Sequence, residues 1–186
     1  MKKKIKDLKP GDRLDLEEDK YADPTKDNPE RKEVLALIDA QNIYYTPKRL
    51  YGGRQIDYKK LREKISLGRA SDQIVYLVAD SLIDQTSFLS RLRSMGYITR
   101  MKVLIYRNEE VLNSNWDPEI IRDATSFMPF YETIVLVSGD GGYAPLLSDL
   151  RKQGKRVEVV CFDSDFSPLL ADKAHEVRFL GGSDLM

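Results

Sequence analysis

Six short apolar runs, separated by amphipathic segments, organise this chain from residue 34 onward. They cover residues 34–39, 73–79, 97–106, 133–138, 157–162 and 176–180. Their richness in Val, Ile, Leu and Tyr is typical of β-strands. The first and fourth runs are continuous rather than alternating, which indicates strands that are buried on both faces.

The segments between these runs carry helical patterns. Asp57 is placed to cap a helix with Tyr58, Leu61 and Ile65 on one face. The pair Asp117-Pro118 marks another helix start, because proline suits the first helical position. Two further helical faces are Phe88, Leu89, Leu92 and Met95, closed by Gly96, and Tyr143, Leu146, Leu147 and Leu150, opened by Pro145. Alternating strands and helices predict an α/β protein, a three-layer α/β/α sandwich around a mostly parallel sheet.

The 186 residues predict one domain over 33–186 and a charged N-terminal extension over 1–32 that is partly ordered at best. No apolar run reaches the length of a membrane span, and the lysine-rich N-terminus is not followed by an apolar segment. We therefore expect a soluble, cytoplasmic protein. With Cys161 as the only cysteine, no intrachain disulfide can form.

Aspartates stand where predicted strands end. They are Asp39, Asp80, Asp140 and Asp163. In a parallel sheet all these ends point the same way, toward the edge where open α/β sheets build their sites. Asp117 and Asp123 belong to the segment after the third strand and can lean over the same edge. Each aspartate also has a structural alternative, since Asp is common in turns and caps. Asp80 and Asp163 are better explained as turn residues, and capping is the competing role for Asp117.

A cluster of carboxylates suits a hard divalent cation. Mg²⁺ and Mn²⁺ prefer oxygen ligands and need only one or two carboxylates beside their waters. Zinc chemistry is disfavoured because His175 is the only histidine. The sequence also has no Walker-type loop and no convincing serine for a Ser-His-Asp triad.

The charges are balanced overall, with 30 basic and 30 acidic residues, but they are unevenly distributed. Basic residues concentrate in 48–69, 91–107 and 151–156. Such stretches suit a polyanion held on one surface, although each could also be a solvated helix face. The candidate nucleic-acid contacts are Arg49, Arg54, Lys59, Arg62, Arg91, Arg93 and Lys155.

An ordered set of motifs resembles the NYN domain, a branch of the PIN-like nucleases, over roughly residues 33–181. The set begins with Ile38-Asp39-Ala-Gln-Asn42 and continues with Phe88 to Tyr97 and with Asp117 followed by Asp123. It ends with Val137-Ser-Gly-Asp140-Gly-Gly-Tyr143-Ala-Pro-Leu-Leu147 and Gly154 to Val159.

The resemblance implies a sheet of spatial order 3-2-1-4-5, with a further edge strand left open, in which Asp39 and Asp140 are neighbours. It implies Asp39, Asp117 and Asp140 as catalytic residues that hold Mg²⁺ or Mn²⁺. Asn42 and Ser138 would support the metal through hydrogen bonds, with Asp123 as a further acid. The family often carries a second acid where this chain has Gly142, which favours one metal over two.

The resulting hypothesis is a metal-dependent ribonuclease, in particular an endoribonuclease acting on single-stranded or structured RNA. The first alternative is a module with the same fold that binds RNA or protein without cutting. A small-molecule phosphatase or nucleotide-binding protein is disfavoured, because no glycine-rich loop follows the first strand. Trp116 is expected either to stack on a base or to staple the start of its helix. Whether the chain forms a homodimer is left open.

Overall fold

The computed structural model of the protein describes residues 23–24, 32–80, 82–107, 110–111 and 114–186. Most of the predicted extension over 1–32 therefore lies outside the described residues. At the centre is a parallel sheet of six strands. These are β1 (Lys32–Asp39), β2 (Ser71–Ala79), β3 (Ile98–Val103), β6 (Tyr131–Val137), β7 (Arg156–Phe162) and β8 (Glu176–Leu180).

The spatial order of the strands is β3-β2-β1-β6-β7-β8. Counted within this sheet it reads 3-2-1-4-5-6, so the expected order with an added edge strand is confirmed. The run 97–106 is shorter as a strand than predicted. It ends at Val103, after which two short strands, β4 (Tyr106–Arg107) and β5 (Glu110–Val111), pair antiparallel outside the main sheet.

Five α-helices cover the sheet: α1 (Ala40–Leu50), α2 (Tyr58–Ser66), α3 (Leu82–Ser94), α4 (Asp117–Phe127) and α5 (Ala144–Lys152). Asp57 caps α2 as predicted, because its carboxylate accepts from the backbone N–H groups of Lys59 and Lys60. Short 3₁₀ turns follow β6 and β7 at Gly141–Tyr143 and Asp163–Asp165. The first helix, α1, was not delimited from the sequence.

Two apolar cores lie on opposite faces of the sheet. On one face Leu35, Leu37 and Leu136 pack with residues of α4 and α5 such as Ile120 and Leu147. On the other face, side chains of alternate parity in the same strands pack against α1, α2 and α3. This alternation of neighbouring side chains explains why β1 and β6 must be apolar along their whole length. The three-layer α/β/α prediction is confirmed.

Among the described helices, none combines the length and apolar character that crossing a lipid bilayer requires.

Candidate active site

Asp39 is the last residue of β1 and directly precedes the first turn of α1. It is the N-cap of that helix, and its carboxylate accepts from the Asn42 N–H at 3.4 Å. β1 and β6 are hydrogen-bonded neighbours up to the pair Ile38 and Val137. The loop that follows β6 therefore leaves the sheet directly beside Asp39.

Two side-chain oxygens hold this loop. Asn42 Oδ1 accepts from the Gly139 N–H at 2.9 Å, and Ser138 Oγ accepts from the Asp140 N–H at 3.2 Å. Ser138 is fully buried. The structure thus gives Asn42 and Ser138 a supporting role, but toward the backbone that carries Asp140.

Two glycines allow the loop to pack against the segment after β7. A Cβ atom at Gly139 would lie 2.2 Å from the Asp165 carbonyl oxygen, and one at Gly141 would lie 2.4 Å from Ser167 Oγ. The close packing also allows the Gly139 carbonyl oxygen to accept from the Ser167 N–H at 2.9 Å. The close approach fixes the direction in which the loop presents Asp140.

Asp140 is exposed and begins the 3₁₀ turn after β6. Its Oδ1 accepts from the Gly142 N–H at 2.8 Å. A Cβ atom at Gly142 would lie 3.3 Å from that same oxygen, and the backbone there is not left-handed. A side chain at position 142 would therefore stand next to the Asp140 carboxylate.

Asp117 does not cap its own helix, which corrects the alternative considered from the sequence. It is the first residue of α4, whose N-cap is Trp116 with no side-chain capping bond, and Asn115 Oδ1 accepts from the Asp117 N–H at 2.7 Å. Its carboxylate instead accepts from the Tyr143 hydroxyl at 2.6 Å. Tyr143 lies in the same turn as Asp140, so this hydrogen bond links Asp117 to the loop after β6.

The carboxylates of Asp39, Asp117 and Asp140 share one electrostatic environment. Burial raises the pKa of Asp39 from 3.8 to about 6, and the charges of Asp117 and Asp140 add to the rise. The hydrogen bond from the Asn42 N–H opposes it. Burial, the bond to Asp117 and the three nearby carboxylates also raise the pKa of Tyr143. The structure therefore brings the three predicted site residues together.

No cation of the described part of the protein compensates these charges. None of the ion pairs formed among the described residues involves Asp39, Asp117 or Asp140. The three carboxylates also do not converge into a closed cage, since no group of three or more described His, Cys, Asp or Glu residues is arranged to hold a metal ion. The donor set fits an ion that takes one or two carboxylates and otherwise keeps its waters.

Asp123 is committed to a separate buried network. Its Oδ2 accepts from the Tyr76 hydroxyl at 2.7 Å and pairs with Arg100 Nε at 2.9 Å. Its Oδ1 lies 3.3 Å from Arg122. Because both oxygens are engaged and a guanidinium neutralises the charge, these contacts do not support the expected role of Asp123 as a further acid of the site.

Trp116 does not face solvent, so the idea that it stacks on a base is wrong. It is 3% exposed, its Nε1 donates to the Leu77 carbonyl at 2.9 Å, and its ring packs edge-on against Tyr76. Lys102 lies 4.3 Å above the ring and donates to the Asn115 carbonyl. Trp116 therefore anchors the start of α4, the turn that delivers Asp117.

The candidate nucleic-acid residues fall into two groups. Arg49, Arg54 and Arg91 line cavities that border α1, near the carboxyl ends of the strands. Arg49 is 64% exposed in its side chain and lies 3.3 Å from Asp165. Lys59 is exposed in the first turn of α2.

The second group has structural partners near the amino ends of the strands. Arg62 donates to the Gly96 carbonyl at 3.0 Å, Arg93 to Thr99 Oγ1 at 3.0 Å and Lys155 to the Tyr131 carbonyl at 2.8 Å. The structure thus does not bring Arg62, Arg93 and Lys155 to the acidic edge.

The residue that the sequence reasoning missed is Tyr143. It was assigned only to the apolar face of α5, and it is indeed buried. Its hydroxyl, however, orients Asp117. The available signal was its position in the same motif as Asp140, three residues further along the chain.

Comparisons with known proteins agree with this architecture. The NYN domain profile matches residues 33–181. The chain is similar to the low amplitude and bright protein LabA of Synechococcus elongatus, with 29% identity over 140 residues, 70% of this chain and 74% of that protein. The fold is similar to the crystal structure of a protein of unknown function from Vibrio parahaemolyticus, with a TM-score of 0.75 and 26% identity. That match covers 84% of this chain and 98% of the other.

Proposed function

This chain belongs to the NYN domain family, and from that membership and its acidic site we propose that it is a metal-dependent ribonuclease, acting as an endonuclease. The fold is of the PIN-like nuclease type. The proposed substrate is single-stranded or structured RNA, and the proposed cofactor is Mg²⁺ or Mn²⁺.

One observation carries the proposal. Asp39, Asp117 and Asp140 interact as like charges at the carboxyl edge of the sheet, and none has a cationic partner among the described residues. Like charges held close to a largely buried carboxylate cost stability, and a bound divalent cation would remove that cost. A site of this kind suits cation binding better than a purely structural role.

The residues have distinct parts in the proposed reaction. Asp39 and Asp140 are the preferred ligands, because β1 and β6 are adjacent and deliver both to one place. Asp117, oriented by the Tyr143 hydroxyl, is the third candidate. When bound, the ion would activate a water for attack on the phosphodiester and stabilise charge on the phosphoryl oxygen. Asn42 and Ser138 keep the loop that carries Asp140 in position.

The test is cleavage of end-labelled single-stranded RNA by purified protein in Mn²⁺, in Mg²⁺ and in EDTA. We expect cleavage in either metal, none in EDTA, and a loss of roughly 100-fold or more in Asp39→Asn and in Asp140→Asn. Asp163→Asn is the matched control, because Asp163 is an exposed aspartate at the end of β7. That control should cleave like the wild type. Cleavage that persists in both site variants would contradict the proposal.

A second function has specific support. Gly142 stands where the family often has an acid, and no described group of three metal-binding side chains forms a cage. Both observations favour a module that binds RNA without cutting it. That function predicts RNA affinity that falls steeply with salt, and no cleavage in any divalent metal.

A further inference from the structure

A cavity of about 440 Å³ lies beside the exposed side of α1, over the carboxyl end of β2. We call it the aromatic cavity, because Tyr44, Tyr45, Tyr58 and Phe88 are among its lining residues. Its volume falls within the roughly 300–1,000 Å³ that is typical of sites for small organic groups. It begins at Ala40, the residue after Asp39.

Two of the four aromatic rings named above are exposed, and the other two are half-buried against the core. Tyr44 and Tyr45 are 50% and 65% exposed and meet edge-on at 5.2 Å. Tyr58 and Phe88 form a second edge-on pair at 5.6 Å. Large aromatic rings that stay exposed around a concavity are typical of a binding surface, because folding normally buries such rings.

Three cations accompany the rings. Lys48, Arg54 and Arg91 line the cavity, and Asp80 is the one acidic residue among its described lining residues. Lys48 Nζ lies 4.1 Å from the centre of the Tyr44 ring, and the Arg91 guanidinium lies 5.6 Å from that of Phe88. Their excess positive charge beside apolar rings is complementary to an anionic chain that carries flat rings.

Amide side chains complete the lining. Gln41, Gln55 and Gln85 each offer a carbonyl acceptor and an NH₂ donor. These groups can pair with the edge of a nucleobase, which also carries both donors and acceptors.

The cavity shares lining residues of α1 with a second cavity. Gln41, Tyr45 and Lys48 line both, and the second also includes Asn42 and Arg49. Asn42 holds the loop that carries Asp140. Asn42 therefore links the second cavity, whose lining also includes Arg49 and Asp165, to the loop at the acidic edge.

We propose that the aromatic cavity is a subsite for one unpaired nucleobase of single-stranded RNA, which stacks on Tyr44 while neighbouring phosphates contact Lys48, Arg54 and Arg91. This subsite would determine the substrate class of the ribonuclease proposed above, and it rests on that function. A base within a duplex is stacked between its neighbours and cannot enter, so the subsite selects unpaired RNA.

The experiment measures binding of a fluorescein-labelled octaribonucleotide by fluorescence anisotropy, in EDTA so that no cleavage is required. We expect Tyr44→Ala to weaken binding about tenfold, the loss of one stacking contact. A duplex of the same sequence should bind the wild type about tenfold more weakly than the single strand. Phe130→Ala is the matched control, because Phe130 is 51% exposed but lies just before β6, at the amino edge of the sheet. It should bind like the wild type.

A set of octamers, each with one abasic position, isolates the stacking contact. At one position the missing base should weaken wild-type binding about tenfold, and Tyr44→Ala should add nothing further there. The dependence of affinity on salt should be the same for Tyr44→Ala and the wild type, because the phosphate contacts remain. The proposal would be overturned if Tyr44→Ala lowered the affinity by the same factor for every abasic octamer. It would also be overturned if the wild type bound the duplex as tightly as the single strand.

The outcomes separate the two proposals. Binding with these properties but without cleavage in Mn²⁺ supports the subsite and contradicts the ribonuclease. Cleavage by a protein whose RNA affinity is unchanged in Tyr44→Ala contradicts the subsite alone.

Discussion

Buried acidic residues at the two edges of the central sheet have opposite electrostatic surroundings. Toward the amino edge, Glu158 of β7 is 1% exposed and lies within 2.9 Å of three guanidinium groups. They belong to Arg69, Arg156 and Arg178. Burial alone would raise the pKa of Glu158, but hydrogen bonds from the three arginines outweigh it and lower the pKa to about 2.

At the carboxyl edge the charges that neighbour a buried carboxylate have the opposite sign. Asp39 is also largely buried, but its charged neighbours are Asp117 and Asp140, and its pKa rises to about 6. The Glu158 cluster is complete within the protein and serves stability. The aspartate group has no cationic partner among the described residues, and repulsion among its charges lowers stability. Strained or uncompensated groups of this kind are typical of functional sites.

Breaking the Glu158 cluster should have the largest effect. Glu158→Gln leaves three partly buried guanidinium groups without their carboxylate, and we expect the free energy of unfolding at pH 7 to fall by about 3–5 kcal/mol. Denaturant titration measures this. Because the folded pKa lies below the unfolded value of 4.5, the wild-type advantage is full above pH 4.5 and is lost as pH falls toward 2. The difference between the two proteins should therefore shrink in acid.

Glu176→Gln is the matched control for that prediction. Glu176 binds two of the same arginines, Arg156 and Arg178, but its side chain is 36% exposed. We expect this change to cost less than about 1 kcal/mol, since solvent screens exposed pairs. Equal effects of the two substitutions would show that burial of Glu158 is not what gives its cluster strength.

Removing the buried charge of Asp39 at the other edge should have a smaller effect of opposite sign. Asp39→Asn removes a buried charge and keeps a side-chain oxygen that can cap α1. In EDTA at pH 7.5 we expect the free energy of unfolding to rise by about 1–2 kcal/mol, less than the ~3 kcal/mol that a shift from 3.8 to about 6 represents, because Asp39 is partly exposed.

Adding Mn²⁺ sharpens this prediction. Thermal melting should show that the wild type gains stability with metal concentration and Asp39→Asn does not, because only the folded wild type binds the ion. An Asp39→Asn protein that is less stable than the wild type in EDTA would show that the charge of Asp39 is not destabilising.

Adding charge to the acidic edge should have the smallest effect on stability. Gly142→Asp places a carboxylate beside Asp140, so we expect a loss of about 0.5–1 kcal/mol without metal. Isothermal titration should show tighter Mn²⁺ binding than in the wild type. Gly142→Asn has nearly the same shape without the charge and is the control. Equal Mn²⁺ affinity in the two variants would mean that position 142 does not contribute a ligand.

Much of the fold was predictable because burial and capping are local signals. The continuous apolar runs of β1 and β6 indicated strands covered on both faces, and Asp57 marked the start of α2. The exposed helix α1 was harder, since Tyr44, Tyr45 and Leu50 face solvent and weaken its periodicity. The start of α4 was predicted to within one residue, but its N-cap is Trp116, a residue type that capping preferences do not favour.

The site was predictable only in part. Strand ends and the family motif singled out Asp39, Asp117 and Asp140, and the structure brings them together. The basic residues could not be sorted from the sequence, because Arg62, Arg93 and Lys155 have the same charge as Arg49 and Arg54. Their partners, such as the Gly96 and Tyr131 carbonyls, come from elements that only packing brings close.

By itself, then, the sequence determined the α/β class, the strands of the main sheet except where β3 ends, and the family, because hydrophobic periodicity and short motifs act between near neighbours in the chain. Tertiary structure alone decided which charges are compensated. Arg69 and Arg178 reach Glu158 across neighbouring elements, Arg100 reaches Asp123, and no cation among the described residues pairs with Asp39. The physical reason is that charge compensation depends on distance and burial, and both are set when the layers of the fold close.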